Sequence, residues 1–171
     1  MYHRYFELYF TTATILEWKH LLKPDYMKDE IIESFRFLTR EKRAVIYGFV
    51  IMPNHIHLIW HIPEPYILSD VKAALLAYTG HRFKKILREK HPHILERFRV
   101  NLRDRTYQFW ERNALSIPIF HDKVFYQKLR YLHNNPCVPK WNLAPLPEAY
   151  LYSSAYSEGC PEKWDFIAPF D

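Results

Sequence analysis

Residues 43–62 read RAVIYGFVIMPNHIHLIWHI, and this stretch decides the fold. Its first ten residues and its last eight are rich in β-branched and aromatic side chains, which favour strands. The Pro53-Asn54 pair between the two runs is typical of a turn. Two such runs with a short connection predict a β-hairpin.

The second strand of this hairpin carries histidines on one face only. Because side chains alternate along a strand, one face holds Ile56, Leu58, Trp60 and Ile62, and the other holds His55, His57, Ile59 and His61. Neighbours on one face are roughly 6.6 Å apart, so His55 and His57 can converge on one cation, whereas His61 is too distant. A lone His-x-His pair more often lies on a solvated face, so a metal site needs a third ligand and a reactive group elsewhere.

The hairpin is preceded and followed by further elements. Residues 5–15 alternate in polarity as a strand does, and Asp25 can cap a helix that runs to the charged TREKR segment. Ser69 can cap a second helix that extends to about Lys90 and is broken or kinked near Gly80. A third helix fits residues 121–134, because Pro136 follows it.

The order of these elements is strand, helix, strand, strand, helix. This order predicts an α+β, ferredoxin-like (split βαβ) fold, in which an antiparallel sheet has helices on one face and leaves the other face free for a ligand. We expect a single domain over residues 1–171, with a core over about 1–140. Residues 141–171 are rich in proline and aromatic residues and are expected to wrap around this core.

Composition narrows the class of protein. The chain has 171 residues, of which 49% are hydrophobic and 18% aromatic, with only three glycines, as expected of one dense globular domain. Two cysteines outside any zinc-ligand spacing, a polar beginning and no apolar run longer than residues 44–52 predict a reduced, cytoplasmic protein that does not enter a membrane.

Basic residues concentrate in one segment. The whole chain has a net charge of +5, but residues 82–105 alone hold nine basic residues against three acidic ones, a net charge of +6. A segment of this kind can follow the phosphates of a nucleic acid. Its neighbouring aromatic residues offer faces for base stacking or fill the core, and the sequence leaves a mixture of the two open: Phe83, Phe98, Tyr107, Phe109 and Trp110.

The third helix brings a tyrosine and an amide to one face. Tyr131 and Asn135 are four residues apart, so their side chains emerge side by side and away from the apolar stripe of Phe125, Leu129 and Leu132. With 13 tyrosines in the chain, most must be packing residues, and an Asn-Asn-Pro sequence is also an ordinary helix stop. Spacing alone therefore leaves the role of both residues open.

Two motifs, taken in order, resemble a known family. GFVIMPNHIHLIW at 48–60 and YLHNNP at 131–136 resemble the single-tyrosine HUH transposases, in the branch of REP-associated tyrosine transposases and IS200-like transposases. The resemblance extends from YFELYFTTATI through DRTYQFWERNALSI to YLYSSAYSEG. It implies a ferredoxin-like fold, as the order of elements also predicts.

The resemblance also implies roles for individual residues. His55 and His57 match the metal-binding histidine pair, Asn135 lies where the family carries a Gln or Asn as third metal ligand, and Tyr131 matches the nucleophile. Tyr126 is nearby but lacks the family's following sequence.

The resemblance implies a cofactor and an activity as well. The implied cofactor is a divalent metal, Mg²⁺ or Mn²⁺, with no nucleotide cofactor. The implied activity is cleavage and rejoining of single-stranded DNA through a 5′-phosphotyrosine, as in transposition or the processing of repeat DNA.

The expected partner is single-stranded DNA that contains a hairpin. The residues expected to contact it are Arg82, Lys84, Lys85, Arg88, Arg103, Arg105 and Lys128. Dimers occur in the family, and the third helix could be exchanged between subunits, so the sequence leaves monomer and homodimer open. Two other functions stay open: a metal-dependent hydrolase that uses the His-x-His pair, and a ferredoxin-like nucleic-acid-binding module without catalysis.

Overall fold

A four-stranded antiparallel sheet is the centre of the fold. In this computed structural model, which describes residues 8–156 and 164–170, the strands lie in the order β2-β3-β1-β4. Their bounds are β1 Leu8–Thr14, β2 Val45–Ile51, β3 His55–His61 and β4 Leu115–Pro118. The hairpin expected from residues 43–62 is the β2–β3 pair, and its turn is closed by a 2.8 Å hydrogen bond from the Met52 N–H to the His55 carbonyl.

Helices connect the strands. The α-helices are α1 Asp25–Arg40, α2 Leu68–Lys90, the short α3 Pro92–Leu95 and α4 Asp122–Asn134. Single 3₁₀ turns occupy Leu16–Trp18, Glu96–Phe98, Asn135–Cys137 and Pro147–Ala149. With β1 paired to both β3 and β4, this is the split βαβ connectivity, so the α+β, ferredoxin-like prediction is confirmed.

The first face of the sheet is covered by α1 and α2. Ile56, Leu58 and Trp60 of β3 point to this face and are almost completely buried, together with Phe35 of α1 and Phe83 of α2. Their burial removes large apolar surfaces from water, which is the main stabilising contribution to the fold. The alternation expected along β3 is therefore the one observed.

The second face differs from the open surface expected from the sequence, because α4 lies across part of it. A smaller apolar cluster joins Phe10 and Ile59 of the sheet to Phe125 and Leu132 of α4. The part of this face that α4 leaves uncovered contains His55 and His57.

Gly48 allows α4 to lie close to β2. A Cβ atom at this position would come within 2.6 Å of the Leu129 Cδ1 atom, closer than real Cβ contacts occur. The β2–β3 register shifts between Ile46 and Gly48, so the close approach coincides with an irregularity in the sheet. A glycine here therefore helps to set the position of the helix that carries Tyr131.

The helix starts and the interior of α2 differ in detail from the sequence-based expectation. Asp25 does not cap α1: Pro24 precedes the first turn, and the Asp25 carboxylate instead pairs with Lys28 at 3.1 Å. Ser69 does not cap α2, which begins one residue earlier. Gly80 does not break α2. A Cβ atom at Gly80 would lie 3.7 Å from the Phe109 ring, so this position lies where Phe109 packs against the helix.

The C-terminal segment covers the outer edge of β2. The Ile51 N–H donates to the Tyr152 carbonyl at 2.9 Å, and the Ser154 N–H donates to the Phe49 carbonyl at 2.9 Å. Further along, the Ala168 N–H donates to the Ile46 carbonyl at 2.8 Å. The described parts of residues 141–171 thus lie against the core as a wrap, whereas residues 157–163, including Cys160, and the start of the predicted first strand at residues 5–7 lie outside the described residues.

No helix within residues 8–156 and 164–170 is both long and apolar enough to cross a membrane.

Candidate active site

A cleft of about 1010 Å³ opens on the uncovered part of the second face. Strands β1 and β3 form its floor, α4 and the following turn form one wall, and residues 111–115 form another. The candidate residues His55, His57, Tyr131 and Asn135 all line it. The fold therefore brings together the four residues that the resemblance implies, from two elements that are far apart in sequence.

His55 and His57 are buried, at 6% and 5% exposure, and not solvated as two imidazoles on an open face would be. Their ring centroids are 4.8 Å apart. The His57 ring stacks on Phe10 at 5.2 Å, and the His55 ring lies between Trp18 at 6.3 Å and Trp141 at 5.8 Å. Aromatic neighbours thus hold both imidazoles in place.

Each imidazole has a hydrogen-bond partner at Nδ1. The Asn54 Oδ1 atom lies 2.7 Å from the His55 Nδ1 atom, and the Thr12 Oγ1 atom lies 2.8 Å from the His57 Nδ1 atom. The Asn54 amide nitrogen donates to the Trp18 carbonyl, so its oxygen is free to accept from His55. The tautomer that donates from Nδ1 leaves the Nε2 lone pair for a ligand.

The Nε2 atom of His57 is buried and has no hydrogen-bond partner within the described part of the chain. A buried polar atom without a partner is costly in free energy, so native structures rarely contain one without a reason. An unpartnered Nε2 atom beside a second imidazole is the donor arrangement a metal ion uses.

Both imidazoles are held neutral. Burial, reinforced by the charges of His55 and Lys128, lowers the pKa of His57 to about 3. Burial, reinforced by Lys140, lowers the pKa of His55 to about 4. Near pH 7 both rings are therefore unprotonated, which is the form that can coordinate a cation.

Tyr131 lies beside the histidine pair. Its ring centroid is 5.3 Å from that of His57 and 6.1 Å from that of Phe10, and 55% of the residue is exposed. Tyr126 is also exposed, but its ring lies against Phe125 and Phe170 and does not line the cleft. Little more than one turn of helix therefore separates a tyrosine that reaches the histidines from one that does not.

Asn135 begins the 3₁₀ turn that follows α4, and it is buried against the cleft. The residues described here contain no group of three or more His, Cys, Asp and Glu side chains that could hold a metal. Asn135 lines the cleft with the two imidazoles, so its amide oxygen could act as a third donor to a metal there. The unpartnered Nε2 atom of His57 fits this donor set.

The cleft is positively charged. Four basic residues line it, namely Arg112, Lys128, Arg130 and Lys140. The one carboxylate in its lining, Glu111, accepts a 2.6 Å hydrogen bond from the Glu17 N–H. An anionic ligand is therefore favoured here. Of these cations, only Lys128 was predicted from the sequence, and its ammonium group lies over the Phe10 ring at 5.0 Å.

The other predicted DNA-contacting residues lie away from the cleft. Arg82 is held by two hydrogen bonds to Glu30, at 2.7 and 3.1 Å, and Arg105 is paired with Asp104. Lys84 and Arg105 line a second groove of about 900 Å³, which shares residues 111–114 with the cleft. The remaining three are exposed on α2 or the following loop: Lys85, Arg88 and Arg103.

The aromatic residues of the basic segment belong mainly to the core. Four of them are buried: Phe83, Phe98, Phe109 and Trp110. Tyr107 is half-buried, and its hydroxyl donates to the Glu96 carboxylate at 2.8 Å. Base stacking by the four buried rings is therefore excluded in this fold, and the exposed rings near the site are others, Trp18 above all.

Several site residues were not found from the sequence. Thr12 lies directly opposite His57 in the β1–β3 register, so a known register would have identified it. Trp18, Arg112 and Lys140 belong to connecting segments, where no periodic pattern indicates which side chains reach the cleft.

Comparison with known proteins identifies the class. Residues 8–112 match the family described as transposase IS200 like, and the protein belongs to this family. The matched segment includes His55 and His57, whereas Tyr131 and Asn135 follow it. Family membership places the protein among enzymes that process DNA in transposition. No curated protein matches the chain.

One solved structure shares the fold, and a second is similar to a lesser degree. A REP-associated tyrosine transposase bound to a REP hairpin is 17% identical, and the similarity covers 90% of this chain and 79% of that one, with a TM-score of 0.63. A Deinococcus radiodurans R1 protein, assigned provisionally as a transposase, is 15% identical over 74% of this chain and 88% of its own, with a TM-score of 0.49.

Proposed function

We propose that this protein cleaves and rejoins single-stranded DNA through a covalent 5′-phosphotyrosine on Tyr131. The observation that carries the proposal is the position of this exposed tyrosine, 5.3 Å from the ring of His57 in a cleft lined by four basic residues. A hydroxyl nucleophile, a pair of neutral imidazoles and a cationic lining are the groups that phosphoryl transfer needs.

In the cleavage step the Tyr131 hydroxyl oxygen attacks the scissile phosphorus. The new bond joins the tyrosine oxygen to phosphorus, and the bond from phosphorus to the 3′ oxygen breaks. The phenol proton passes to solvent, and the departing 3′ oxygen takes a proton to become a free hydroxyl. Rejoining reverses these changes, so the phosphodiester is conserved and no nucleotide cofactor is required.

The basic residues of the cleft bind and orient the substrate. Lys128 is one turn before Tyr131 on α4, and Arg130 is its immediate neighbour, so both accompany the nucleophile. Their charges stabilise the negative charge that develops on the phosphate oxygens during the reaction.

His55, His57 and Asn135 would hold a divalent metal, for which we propose Mg²⁺ or Mn²⁺. When bound, such an ion supplies Lewis-acid stabilisation of charge on a phosphate oxygen. The chain's own contribution is to keep both imidazoles neutral, to fix the His55 tautomer through the Asn54 oxygen, and to pair the His57 Nδ1 atom with the Thr12 hydroxyl. These partners prepare the Nε2 atoms before any ligand arrives.

For the substrate we propose single-stranded DNA that contains a hairpin. The fold is shared with a transposase that was solved bound to a REP hairpin, and the cationic cleft continues into the second groove past residues 111–114. The four candidate residues all line the cleft of a single chain.

The test is to incubate the protein with end-labelled single-stranded oligonucleotides and Mg²⁺, and then to denature it. We expect a labelled adduct that survives denaturation, and peptide mass spectrometry should locate the DNA on Tyr131. Cleavage without an adduct would support the metal-dependent hydrolase instead. Binding with neither cleavage nor adduct would leave the non-catalytic DNA-binding module as the function.

A further inference from the structure

We propose that Trp18 is a stacking platform for the nucleobase next to the scissile phosphate. This inference rests on the proposed function, because it takes single-stranded DNA as the ligand. Trp18 is 60% exposed, more than any other large hydrophobic residue in the described part of the chain. Its indole lines the same cleft as Tyr131.

The other tryptophans of the described chain do not present a comparable surface. Trp60 and Trp110 are buried in the core, while Trp141 and Trp164 are half-buried and pack against it or against the smaller cluster. Large aromatic side chains contribute most when their apolar faces are covered. A tryptophan left open on the rim of a cationic cleft is therefore suited to a ligand that has an aromatic face.

The backbone holds Trp18 in an unusual conformation. Glu17 and Trp18 have φ values of 54° and 57°, a left-handed region that residues with a Cβ atom seldom occupy. Two such residues in succession persist only where their surroundings fix them, and strain of this kind concentrates at functional sites. The display of this side chain is thus imposed by the fold.

Three hydrogen bonds fix this segment. The Glu17 N–H donates to the Glu111 carboxylate at 2.6 Å, and the Trp18 N–H donates to the Ile15 carbonyl at 2.9 Å. The buried Asn54 amide donates to the Trp18 carbonyl at 3.2 Å. The partners lie in a wall of the cleft, just after β1 and in the turn of the β2–β3 hairpin, so the backbone that carries the Trp18 side chain is tied to the site.

Asn54 connects Trp18 directly to the histidine pair. The same side chain that donates to the Trp18 carbonyl lies 2.7 Å from the His55 Nδ1 atom. The Trp18 ring centroid is 6.3 Å from that of His55, at an interplanar angle of 68°. A phosphate that the basic residues of the cleft bind beside the histidines therefore places one of its attached nucleosides within reach of the indole.

Charge and shape favour a nucleobase over other aromatic ligands. The cleft offers four basic residues for phosphates, and its carboxylate, Glu111, is engaged by the Glu17 N–H. Stacking on an aromatic residue is tolerant of base identity, because every base has a π face. Trp18 is accordingly expected to fix the position of the strand and not to read its sequence.

The test combines abasic scanning with variants of Trp18, and it measures affinity in EDTA so that no cleavage is needed. Single abasic nucleotides are placed at successive positions of a bound oligonucleotide, and dissociation constants are measured for the wild type and for Trp18→Leu. We expect one position, within one nucleotide of the mapped cleavage site, at which base removal weakens the wild type about tenfold. At that position, removal of the base should not weaken binding by the Trp18→Leu protein any further. The Trp18→Phe protein should keep most of the wild-type affinity for the intact oligonucleotide.

Phe37→Leu is the matched control, since Phe37 is an exposed aromatic residue on α1 that does not line the cleft. It should bind every oligonucleotide as the wild type does. Scanning of the wild type tests the inference even if a Trp18 variant folds poorly. The inference would be overturned by any of three results: no position is sensitive to base removal, the sensitive position is remote from the cleavage site, or Trp18→Leu is as sensitive there as the wild type. If the strand is cut without a tyrosine adduct, and a Trp18-dependent abasic-sensitive position still lies next to the cut, the proposed covalent chemistry fails and the stacking site stands.

Discussion

On the face of the sheet that α1 and α2 cover, β3 presents Ile56, Leu58 and Trp60 to a continuous apolar core. On the face toward α4, the same strand presents His55 and His57 to an open cleft. The alternation of one strand thus separates the residues that stabilise the fold from those of the candidate site. Substitutions one residue apart should therefore have different consequences.

The largest expected effect on the cleft side comes from Tyr131→Phe. Loss of one hydroxyl removes the proposed nucleophile and leaves the ring in place, so adduct formation should disappear while thermal stability stays the same. The measurement is the denaturation-resistant adduct on a gel. Tyr126→Phe is the control, because its ring lies outside the cleft, and it should form adduct normally. Adduct in Tyr131→Phe would show that another group is the nucleophile.

Replacing both His55 and His57 with Ala should remove Mn²⁺ binding and adduct formation together. The basic residues of the cleft remain, so single-stranded DNA should still bind. Calorimetry measures the metal affinity, and fluorescence anisotropy measures the DNA affinity. EDTA should abolish the activity of the wild type, and added Mg²⁺ should restore it. An adduct that formed at a normal rate in EDTA would end the metal hypothesis.

On the core side, Trp60→Ala should lower the free energy of unfolding by about 3–5 kcal/mol, because the ring is fully buried. Its indole N–H also donates to the Thr11 hydroxyl at 2.9 Å, and the variant cannot form that hydrogen bond. Urea denaturation measures the change. The contrast is Trp18, which is exposed on the cleft rim. Trp18→Ala should change the free energy of unfolding by less than about 1 kcal/mol. If Trp60→Ala and Trp18→Ala lowered the free energy of unfolding equally, the division between the two faces would be contradicted.

The second face should be sensitive to acid, because the pKa of His133 is lowered there as are those of His55 and His57. Burial lowers the pKa of His133 to about 4, and its Nε2 atom lies 2.7 Å from the Ser154 Oγ atom. The unfolded chain, with an ordinary histidine pKa near 6.5, then binds more protons between pH 6.5 and 4, so stability falls as the pH falls through this window. His133→Gln should reduce that fall by on the order of 2 kcal/mol. If the wild type and the His133→Gln protein lost the same stability between pH 6.5 and 4, the assignment of this effect to His133 would be contradicted.

The smallest expected effect concerns the salt dependence of DNA binding. Neutralising Lys84, Lys85 and Arg88 together should flatten the plot of log affinity against log salt, by about 0.7 for each DNA phosphate that the variant no longer neutralises. Neutralising Arg112, Arg130 and Lys140 of the cleft is the comparison. If only the cleft variant flattens the slope, the DNA does not reach α2.

The sequence predicts those features that depend on local pattern. Alternation in residues 55–61 separates the histidines from Trp60, and the four-residue spacing of Tyr131 and Asn135 brings both to the cleft, although Asn135 lies in the 3₁₀ turn after α4. Arg82 was expected to be free for DNA, but Glu30 is 52 positions away in the chain and only the α1–α2 packing brings them together. For Phe83 the sequence left core packing and base stacking open; the residue is buried, and its four-residue spacing from Thr79 and Leu87 already indicates the buried stripe of α2.

The covering of β2 by the C-terminal segment also determines when the sheet can be completed during synthesis. The Phe49 N–H donates to the Ser154 hydroxyl oxygen, a partner 105 positions later in the chain. At roughly 5–20 residues per second, a ribosome needs about 5–20 s to make that interval. Throughout that time the outer edge of β2 has unpaired peptide groups, which are a template for pairing with other chains. The nascent protein is therefore most prone to aggregate while its own edge partner is still being translated.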